Sequence, residues 1–433
     1  MYRRSVISIV ACLAIALAAS ATAAGRRPPV LDQPAPGTSA LQASGLEHVA
    51  NVRYDGEMTL ARGGGSDIEF TTIEGRDYAF LGRLLKPVVV VDITNPSRPE
   101  PVAEIPCSLY QNDLQIQGTT LVMAADDGGV GSCVVDGLSR PMGRGGFATA
   151  DISDPLRPRV LATATASWGA HNITLHPRRP LLYVSSADLE NPVTGTTPGT
   201  DSVGLRASID IWDVSDASSP TKVKSWQYGP GLSPHDITFN ASGTRAYAAS
   251  VNHTDIIDTT DAHNPSLVQM IVHPEIQISH QADPTPDGRH LLISDEVGGG
   301  LFSPACPGGG IHVYDISHEI APVKVGVFWL DNVGYEGTSC TAHVFRINPD
   351  GKTMAAAWYN AGVHVFDISS LAGLSAAGAG SVTNLGVRTL GSNKQPNANT
   401  WAAKMWQERH PGYVFANDIR RGFDVFHLPS LGQ

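Results

Sequence analysis

The stretch that decides the fold is Ser233-Pro234-His235-Asp236-Ile237-Thr238-Phe239-Asn240-Ala241-Ser242-Gly243-Thr244-Arg245-Ala246-Tyr247-Ala248-Ala249-Ser250. It predicts two short strands joined by a hairpin turn that is centred on Gly243. Two further apolar runs follow at residues 255–261 and 267–272, so four short strands fit into about forty residues. That is the size of one blade of a β-propeller.

The same unit recurs along the chain. Its clearest mark is an apolar run that ends in Asp and is followed by Ile, Val or Thr, then by Ser or Thr, and often by Pro. The residues that end these runs, including a degenerate last copy with His, are Asp92, Asp151, Asp213, Asp258, Asp315, Asp367 and His427. An Asp at a strand end can accept N–H bonds from the next turn. We therefore expect these Asp residues to be structural and give them no catalytic role.

This repeat resembles the LVIVD repeat of exported bacterial and archaeal β-propellers, most clearly over residues 88–96 and 311–317. The likeness extends over nearly the whole chain beyond residue 45. It implies a propeller located outside the cytoplasm. It implies no particular activity, because a fold does not determine a function.

The strand count indicates how the propeller closes. Six complete blades fit between Asp67 and about Leu390, but residues 401–429 supply only three strands. A lone strand at residues 46–54 would complete the last blade, and such closure removes exposed sheet edges. The sequence thus predicts an all-β fold, a seven-bladed β-propeller over residues 46–433 that is closed by an N-terminal strand. Six or eight blades are the less favoured alternatives.

The first residues indicate export. Arg3 and Arg4 precede an apolar run at residues 6–19 and a small-residue cleavage site at 21–23, which predicts a signal peptide over residues 1–23. The alternative is an uncleaved anchor, but the run is short for a bilayer span. The proline-rich residues 24–45 predict a disordered linker. We expect a secreted, periplasmic or cell-surface protein that has no membrane span after signal cleavage.

Charge restricts the partners. The 433-residue chain has a formal net charge of −11, and loss of the two arginines of the signal makes it −13. An acidic surface repels phosphate backbones, so nucleic acid is excluded as a partner. The remaining partners are an unknown small molecule or an extracellular or periplasmic protein or glycan.

The cysteines left after signal cleavage predict two disulfides, because they are even in number and lie in an oxidising compartment. Cys107 and Cys340 each precede the first strand of a blade, whereas Cys133 and Cys306 lie in expanded loops. This placement predicts the pairs Cys107–Cys133 and Cys306–Cys340. A metal pair formed by Cys340 and His343 is the alternative.

A histidine marks the start of the first strand in four consecutive blades. These residues are His171, His235, His280 and His343, and chance would rarely align them, since the chain holds 15 histidines. The first strand of a blade lines the axis, so the four imidazoles should converge at one mouth of the channel. Neutral imidazole binds Cu, Zn, Fe and Ni, so the column predicts a transition-metal site.

Polar residues accompany this column. Asn112 holds the same position in the second blade, while Asp126, Asp188 and Glu296 begin expanded loops on the histidine side. Such groups can orient a ligating imidazole or act as a general base, and each can equally cap a turn. Trp212, Trp358 and Tyr359 are interpreted as wedges between blades.

Two functions remain open. One is a metalloenzyme of unknown reaction, possessing the four-histidine site. The other is a non-catalytic binding scaffold that uses the same face, with the histidines serving only as structural hydrogen-bonding groups. The sequence contains no Gly-x-Ser-x-Gly elbow, phosphate-binding loop or dinucleotide fingerprint to favour a familiar chemistry.

Overall fold

The computed structural model describes residues 45–54, 58–59, 63–126, 131–143, 145–187, 207–227, 234–300, 303–330, 340–374 and 385–432. Thirty strands form in the order β1 (Glu47–Val52), β2 (Gly65–Ile73), β3 (Arg76–Arg83), β4 (Lys86–Asp92), β5 (Glu100–Leu109), β6 (Gln111–Gln117), β7 (Thr120–Ala125), β8 (Ser132–Val135), β9 (Leu138–Pro141), β10 (Gly146–Asp151), β11 (Arg159–Thr165), β12 (Asn172–Leu175), β13 (Leu181–Ala187), β14 (Ala207–Asp213), β15 (Thr221–Trp226), β16 (Asp236–Phe239), β17 (Arg245–Ala249), β18 (His253–Asp258), β19 (Ser266–Val272), β20 (Ser279–Pro284), β21 (His290–Asp295), β22 (Ile311–Asp315), β23 (Val323–Phe328), β24 (Phe345–Ile347), β25 (Thr353–Ala357), β26 (Val363–Asp367), β27 (Arg388–Asn393), β28 (Thr400–Met405), β29 (Tyr413–Asp418) and β30 (Gly422–His427). Short 3₁₀ segments cover Val297–Gly300, Ser369–Gly373 and Pro429–Leu431.

These strands make seven antiparallel blades, which confirms the predicted seven-bladed β-propeller. From the axis outward, the blades are β2-β3-β4-β5, β6-β7-β10-β11, β12-β13-β14-β15, β16-β17-β18-β19, β20-β21-β22-β23, β24-β25-β26-β27 and β28-β29-β30-β1. The hairpin β8-β9 extends the outer edge of the first blade. The first strand of each blade contacts its counterparts in neighbouring blades and lines the axis.

The ring closes as expected, because the N-terminal strand completes the last blade. β1 pairs antiparallel with β30 from Glu47 opposite His427 to Val52 opposite Phe423. Asp424 reinforces the pairing, since its Oδ1 lies 2.7 Å from His48 Nε2 and accepts the Asn51 amide at 2.8 Å. Both ends of the propeller are therefore held in one sheet.

The recurring Asp residues have the structural role that the sequence predicts. In six blades the carboxylate accepts the N–H of the residue two positions later, at 2.8–3.0 Å. A β-bulge lies just before this Asp in each of the same blades. A bulge increases the local twist, and the Asp then fixes the turn that follows.

The inner strands are also tied to one another. In three blades, the side chain that follows the position of the histidine column accepts a backbone N–H from the next blade. The pairs are Asp67 with the Leu114 N–H at 3.2 Å, Asp113 with the Ile173 N–H at 2.9 Å and Gln281 with the Phe345 N–H at 3.0 Å. Buried polar groups require such partners. These bonds fix the height of each inner strand along the axis, and so align the column positions.

Apolar side chains fill the spaces between blades. Trp212 is packed edge-on against Phe147 of the preceding blade, with ring centroids 5.1 Å apart, and Trp358 is fully buried. The predicted wedge role of these two residues agrees with this packing. Burial of each large side chain contributes about 1.5–3 kcal/mol.

Both disulfides form as predicted, between Cys107 and Cys133 and between Cys306 and Cys340. Because Cys340 is bonded to Cys306, it is not available as a metal partner for His343. No helix among the described ranges is long and apolar enough to cross a membrane. The predicted signal peptide and nearly all of the predicted linker lie outside the described residues.

Candidate metal centre

The fold brings the four column histidines together around one side of the axis. The ring centroids of His171 and His235 are 4.0 Å apart, those of His235 and His280 are 4.5 Å apart, and those of His280 and His343 are 4.1 Å apart. The backbone N–H groups of His171, His235 and His343 each donate to a carbonyl at the end of the second strand of the same blade. Equivalent positions in the repeat thus become neighbours in space.

Two of these imidazoles are held from behind by their Nδ1 atoms. His343 Nδ1 donates to the Trp401 carbonyl at 2.6 Å, and His171 Nδ1 lies 2.9 Å from Asp126 Oδ2. A carbonyl can only accept, so the proton of His343 is on Nδ1 and its Nε2 keeps a lone pair. Metal-ligating histidines in proteins are typically oriented by contacts of this kind.

Glu296 lies among the imidazoles. Its Oε1 accepts a hydrogen bond from the Tyr359 hydroxyl at 2.6 Å and is 3.6 Å from His343 Nε2, and its Oε2 is 4.0 Å from His280 Nε2. His235, His280 and Glu296 each offer a ligand atom, and these atoms all lie within 4.8 Å of one another. The three residues therefore form a group that could hold a metal ion.

Burial keeps most of these imidazoles neutral. It lowers the pKa of His235 and of His280 well below the ordinary value, and neighbouring histidines add to this effect. Burial likewise lowers the pKa of His343 to about 3. For His171, burial acts to lower the pKa, but the Asp126 carboxylate outweighs it and the pKa is raised. Neutral imidazole is the form that binds metals.

Glu296 and Tyr359 form a buried pair. Burial raises the pKa of Glu296 to about 7, against the opposing effect of the Tyr359 hydrogen bond. Burial, together with the Glu296 charge, raises the pKa of Tyr359 well above its usual value, so the phenol remains a donor. A positive ion beside Glu296 would compensate for the burial of its charge.

Tyr359 has an unusual backbone conformation. Its φ is 40°, in the left-handed region that residues other than glycine rarely adopt. Its carbonyl accepts the N–H groups of Gly362 and Thr400, both at 3.0 Å, which holds the conformation in place. Strained residues of this kind cluster at functional sites.

An axial cavity of about 300 Å³ extends from the histidines along the inner strands, as far as Pro177 and Phe239. Asp126, Glu296 and Tyr359 are buried and follow the second strands of their blades, at the edge where the inner strands begin. They therefore cover the histidines from one end, and the cavity extends toward the other end of the channel.

The cavity wall is rich in carboxylates. Asp67, Glu69, Asp113, Asp236 and Asp283 line it, together with the two cations Arg346 and Lys404. Lys404 Nζ is 2.6 Å from Asp67 and 3.0 Å from Glu69, and Arg346 also contacts Glu69. Burial raises the pKa of Asp113 and Asp283, and that of Asp236 to about 7. Repulsion between carboxylates adds to the rise for Asp113 and Asp236.

The polar residues that the sequence predicts beside the histidine column lie in different places. Asp126 contacts His171, and Glu296 lies among the ligand atoms instead of behind them. Asn112 is fully buried and donates from its amide to the Arg83 carbonyl of the first blade at 2.8 Å, so it contributes to the joint between blades. Asp188 lies outside the described residues.

Sequence reasoning missed the part played by Tyr359 and Trp401. The sequence predicts a wedge role for Tyr359, yet its hydroxyl donates to Glu296 and its ring centroid is 4.5 Å from that of His343. The available signal was its position after the second strand of the sixth blade, where the second and fifth blades have Asp126 and Glu296. Trp401 accepts from His343 with its carbonyl, which leaves no signature in a sequence, and its ring also lies edge-on to the imidazole with centroids 4.7 Å apart.

Comparison with protein families supports the resemblance of the repeat. Residues 75–104 match the family model of the LVIVD repeat, which is consistent with an LVIVD-repeat protein. No curated protein matches the chain significantly. The two disulfides and this repeat fit an extracellular or periplasmic protein.

Solved structures share the propeller fold. Hydrazine synthase of Kuenenia stuttgartiensis is 14% identical with a TM-score of 0.58, and the match covers 87% of this chain and 97% of that chain. The β-propeller domain of Cps50 (Swd1) from Myceliophthora thermophila is 12% identical, with a TM-score of 0.57 and coverages of 88% and 99%. The periplasmic gluconolactonase PpgL of Pseudomonas aeruginosa is 14% identical, with a TM-score of 0.56 and coverages of 80% and 89%. Likeness at these identities shows the fold alone.

Proposed function

We propose that this protein is an extracellular or periplasmic metalloprotein that binds one transition-metal ion on the propeller axis. His235, His280 and Glu296 would be the central ligands, and His171 and His343, whose rings adjoin those of His235 and His280, would be further ligands. The observation that carries the proposal is the convergence of ligand atoms from His235, His280 and Glu296 within 4.8 Å of one another in a buried site.

The chemistry of the donors supports a transition metal. Nitrogen and carboxylate ligands suit Zn, Cu, Fe and Ni, whereas an all-oxygen site would favour Mg or Ca. Four imidazoles this close cannot all be protonated without strong mutual repulsion, and a metal ion requires their neutral form. Asp126 and the Trp401 carbonyl would orient two of the rings.

Metal content and metal titration test this proposal. Purified protein is stripped of metal and titrated with Zn²⁺ or Co²⁺, and we expect about one ion per chain. The variants His235→Ala and His280→Ala should bind at least 100-fold more weakly while they keep the fold, because inner-strand pairing does not require the imidazole. His263→Ala is the control, since His263 is exposed in a turn away from the axis.

Two results would reject the metal site. One is well-folded protein that takes up no metal, and the other is a loss of binding in the His263 variant as large as in the column variants. The histidines would then be structural hydrogen-bonding groups. The same face would be better explained as a non-catalytic scaffold for an extracellular protein or glycan.

A further inference from the structure

The charges along the axial cavity are unevenly distributed. On the first, sixth and seventh blades, Asp67 and Glu69 are compensated by Arg346 and Lys404. On the second, fourth and fifth blades, Asp113, Asp236 and Asp283 form no ion pair with any residue in the described part of the chain. One side of the cavity thus carries three carboxylates that no cation contacts; Lys404 and, for Asp283, also Arg346 act on them only from beyond ion-pair distance.

Their hydrogen bonds leave acceptor capacity unused. Asp113 Oδ2 accepts the Ile173 N–H at 2.9 Å, and Asp283 Oδ1 accepts the Thr238 hydroxyl at 2.8 Å. A carboxylate has about four lone-pair positions, so most of this capacity remains for a ligand. Uncompensated carboxylates in a partly enclosed cavity attract a positive charge more strongly than the same groups in water.

A second observation points to a ligand in the same cavity. His235 and His280 line it, are 8% and 6% exposed, and each has an Nδ1 atom with no hydrogen-bond partner within the described ranges. Buried polar atoms normally have partners, and a species bound in this cavity would supply one to each of these two nitrogens. The carboxylates and the imidazoles therefore belong to one binding region.

We propose that this cavity takes a small aliphatic ammonium ion, whose charge lies against Asp113, Asp236 and Asp283 and whose other end reaches the His235–His280 group. The inference names the ligand class of the proposed metal site, and in that sense it rests on the proposed function. A volume of about 300 Å³ limits the ligand to a small molecule. The ligand would enter from the end of the channel away from Glu296 and Tyr359, which cover the histidines.

Three probes of equal chain length separate charge from size. Butane-1,4-diamine, butane-1,4-diol and succinate are titrated into metal-loaded and metal-free protein by calorimetry. We expect the diamine to bind at least 30-fold more tightly than the diol and succinate. Equal binding of the diol, or tighter binding of succinate, would overturn the inference.

Variants locate the binding region. Asp113→Asn and Asp283→Asn keep an oxygen acceptor for Ile173 and Thr238, and each should weaken diamine binding about tenfold. Their metal stoichiometry should be unchanged, and their thermal stability should not fall, because burial raises the pKa of both carboxyls and the ionised forms therefore do not stabilise the fold. Asp261→Asn is the control, because Asp261 is exposed in a turn outside the channel. A diamine affinity that does not change in either channel variant would contradict the proposed location.

The two proposals can fail separately. Metal uptake without diamine binding would refute the ligand class and leave the metal site standing. Diamine binding that depends on Asp113 and Asp283, in protein that takes up no metal, would refute the metal site and retain an ammonium-binding cavity.

Discussion

Tyr359 of the sixth blade has a strained backbone conformation, and its side chain contacts the candidate metal ligand Glu296. Its φ is 40°, and its phenol donates a 2.6 Å hydrogen bond that fixes one oxygen of the Glu296 carboxylate. The other oxygen is 4.0 Å from His280 Nε2. A group that orients a ligand in this way typically changes metal affinity without contacting the metal.

Tyr359→Phe is therefore expected to weaken metal binding by about 10- to 100-fold, because the Glu296 carboxylate loses the donor that orients it. Titration with Co²⁺, followed by its visible absorption, measures the affinity. Tyr314→Phe is the matched control, since Tyr314 donates to Glu275 at 3.1 Å away from the axis. Equal affinities of the Tyr359 variant and the wild-type protein would contradict this role of the phenol.

Asp210 is a buried carboxylate with a structural role. Its fully buried carboxylate accepts hydrogen bonds from the hydroxyls of Ser167, Ser208 and Ser225 and is 2.8 Å from Lys222 Nζ. Burial acts to raise its pKa, but these partners together outweigh burial and the pKa is lowered. A depressed pKa means that the ionised form stabilises the folded state.

Asp210→Asn should lower the free energy of unfolding by about 1.5–3 kcal/mol at neutral pH, because the partly exposed Lys222 ammonium and the three hydroxyl donors lose the charged acceptor. The stabilisation by Asp210 is fully present above the ordinary carboxyl pKa and is lost as the pH falls through the lower folded-state pKa. The difference in free energy of unfolding between the wild-type protein and the variant should therefore become smaller as the pH falls below about 4. Urea denaturation at several pH values measures it, with the exposed Asp261→Asn as control. A difference in free energy of unfolding that becomes larger in acid would contradict the stabilising role of the ionised Asp210 carboxylate.

Among the elements, the two disulfides have different relations to the site. Cys107–Cys133 joins β5 to β8 in a blade that supplies no candidate ligand. Cys306–Cys340 fixes the segment that contains Thr341, whose hydroxyl donates to the Asp295 carbonyl at 2.7 Å and accepts the Val297 N–H at 2.9 Å. Those two bonds flank Glu296.

Replacing either pair by serine should cost about 3–4 kcal/mol, because the closed loops have similar lengths, with sequence separations of 26 and 34 residues. Only the Cys306→Ser/Cys340→Ser variant should also weaken metal binding, because only this pair holds the segment beside Glu296. Thermal denaturation and metal titration of both double variants provide the comparison. A larger loss of metal affinity in the Cys107→Ser/Cys133→Ser variant would be evidence against this coupling.

At the scale of the whole molecule, ring closure depends on six residues of β1. These residues occupy the outer edge of the seventh blade, and Asp424 contacts both His48 and Asn51 there. Without β1 the backbone of β30 would become an exposed sheet edge, which promotes pairing with other chains.

A chain that begins at Met58 should therefore melt about 10 °C or more below one that begins at Gly45, and it should form oligomers. The chain that begins at Gly45 retains β1 and serves as the control. Thermal denaturation and light scattering measure the two effects. If the two chains have the same melting temperature and both remain monomeric, the closing strand does not stabilise the ring.

Several features could be predicted from the sequence because they depend on local pattern and register. The Asp at each strand end fixes its own turn, and the repeat of that turn gives the blade count. Cys107 and Cys340 occupy equivalent places in the repeat, as do Cys133 and Cys306, and all four lie on one face of the ring, which is why the two pairs could be predicted. His171, His235, His280 and His343 could be placed at one mouth for the same reason, since equal register on successive inner strands makes them neighbours.

Other features depend on contacts between distant segments and could only be decided by the tertiary structure. Glu296 approaches His280 and His343 because its loop folds over the axis, and loop paths have no periodicity that a sequence can reveal. Tyr359 donates to Glu296 from a left-handed backbone conformation, and Trp401 orients His343 through a carbonyl that every residue possesses, in addition to its ring contact. The sequence by itself therefore determined the ring and the positions of its histidines. The tertiary structure decided which carboxylate lies among them, because side-chain distances across blades depend on the closed packing of the whole propeller.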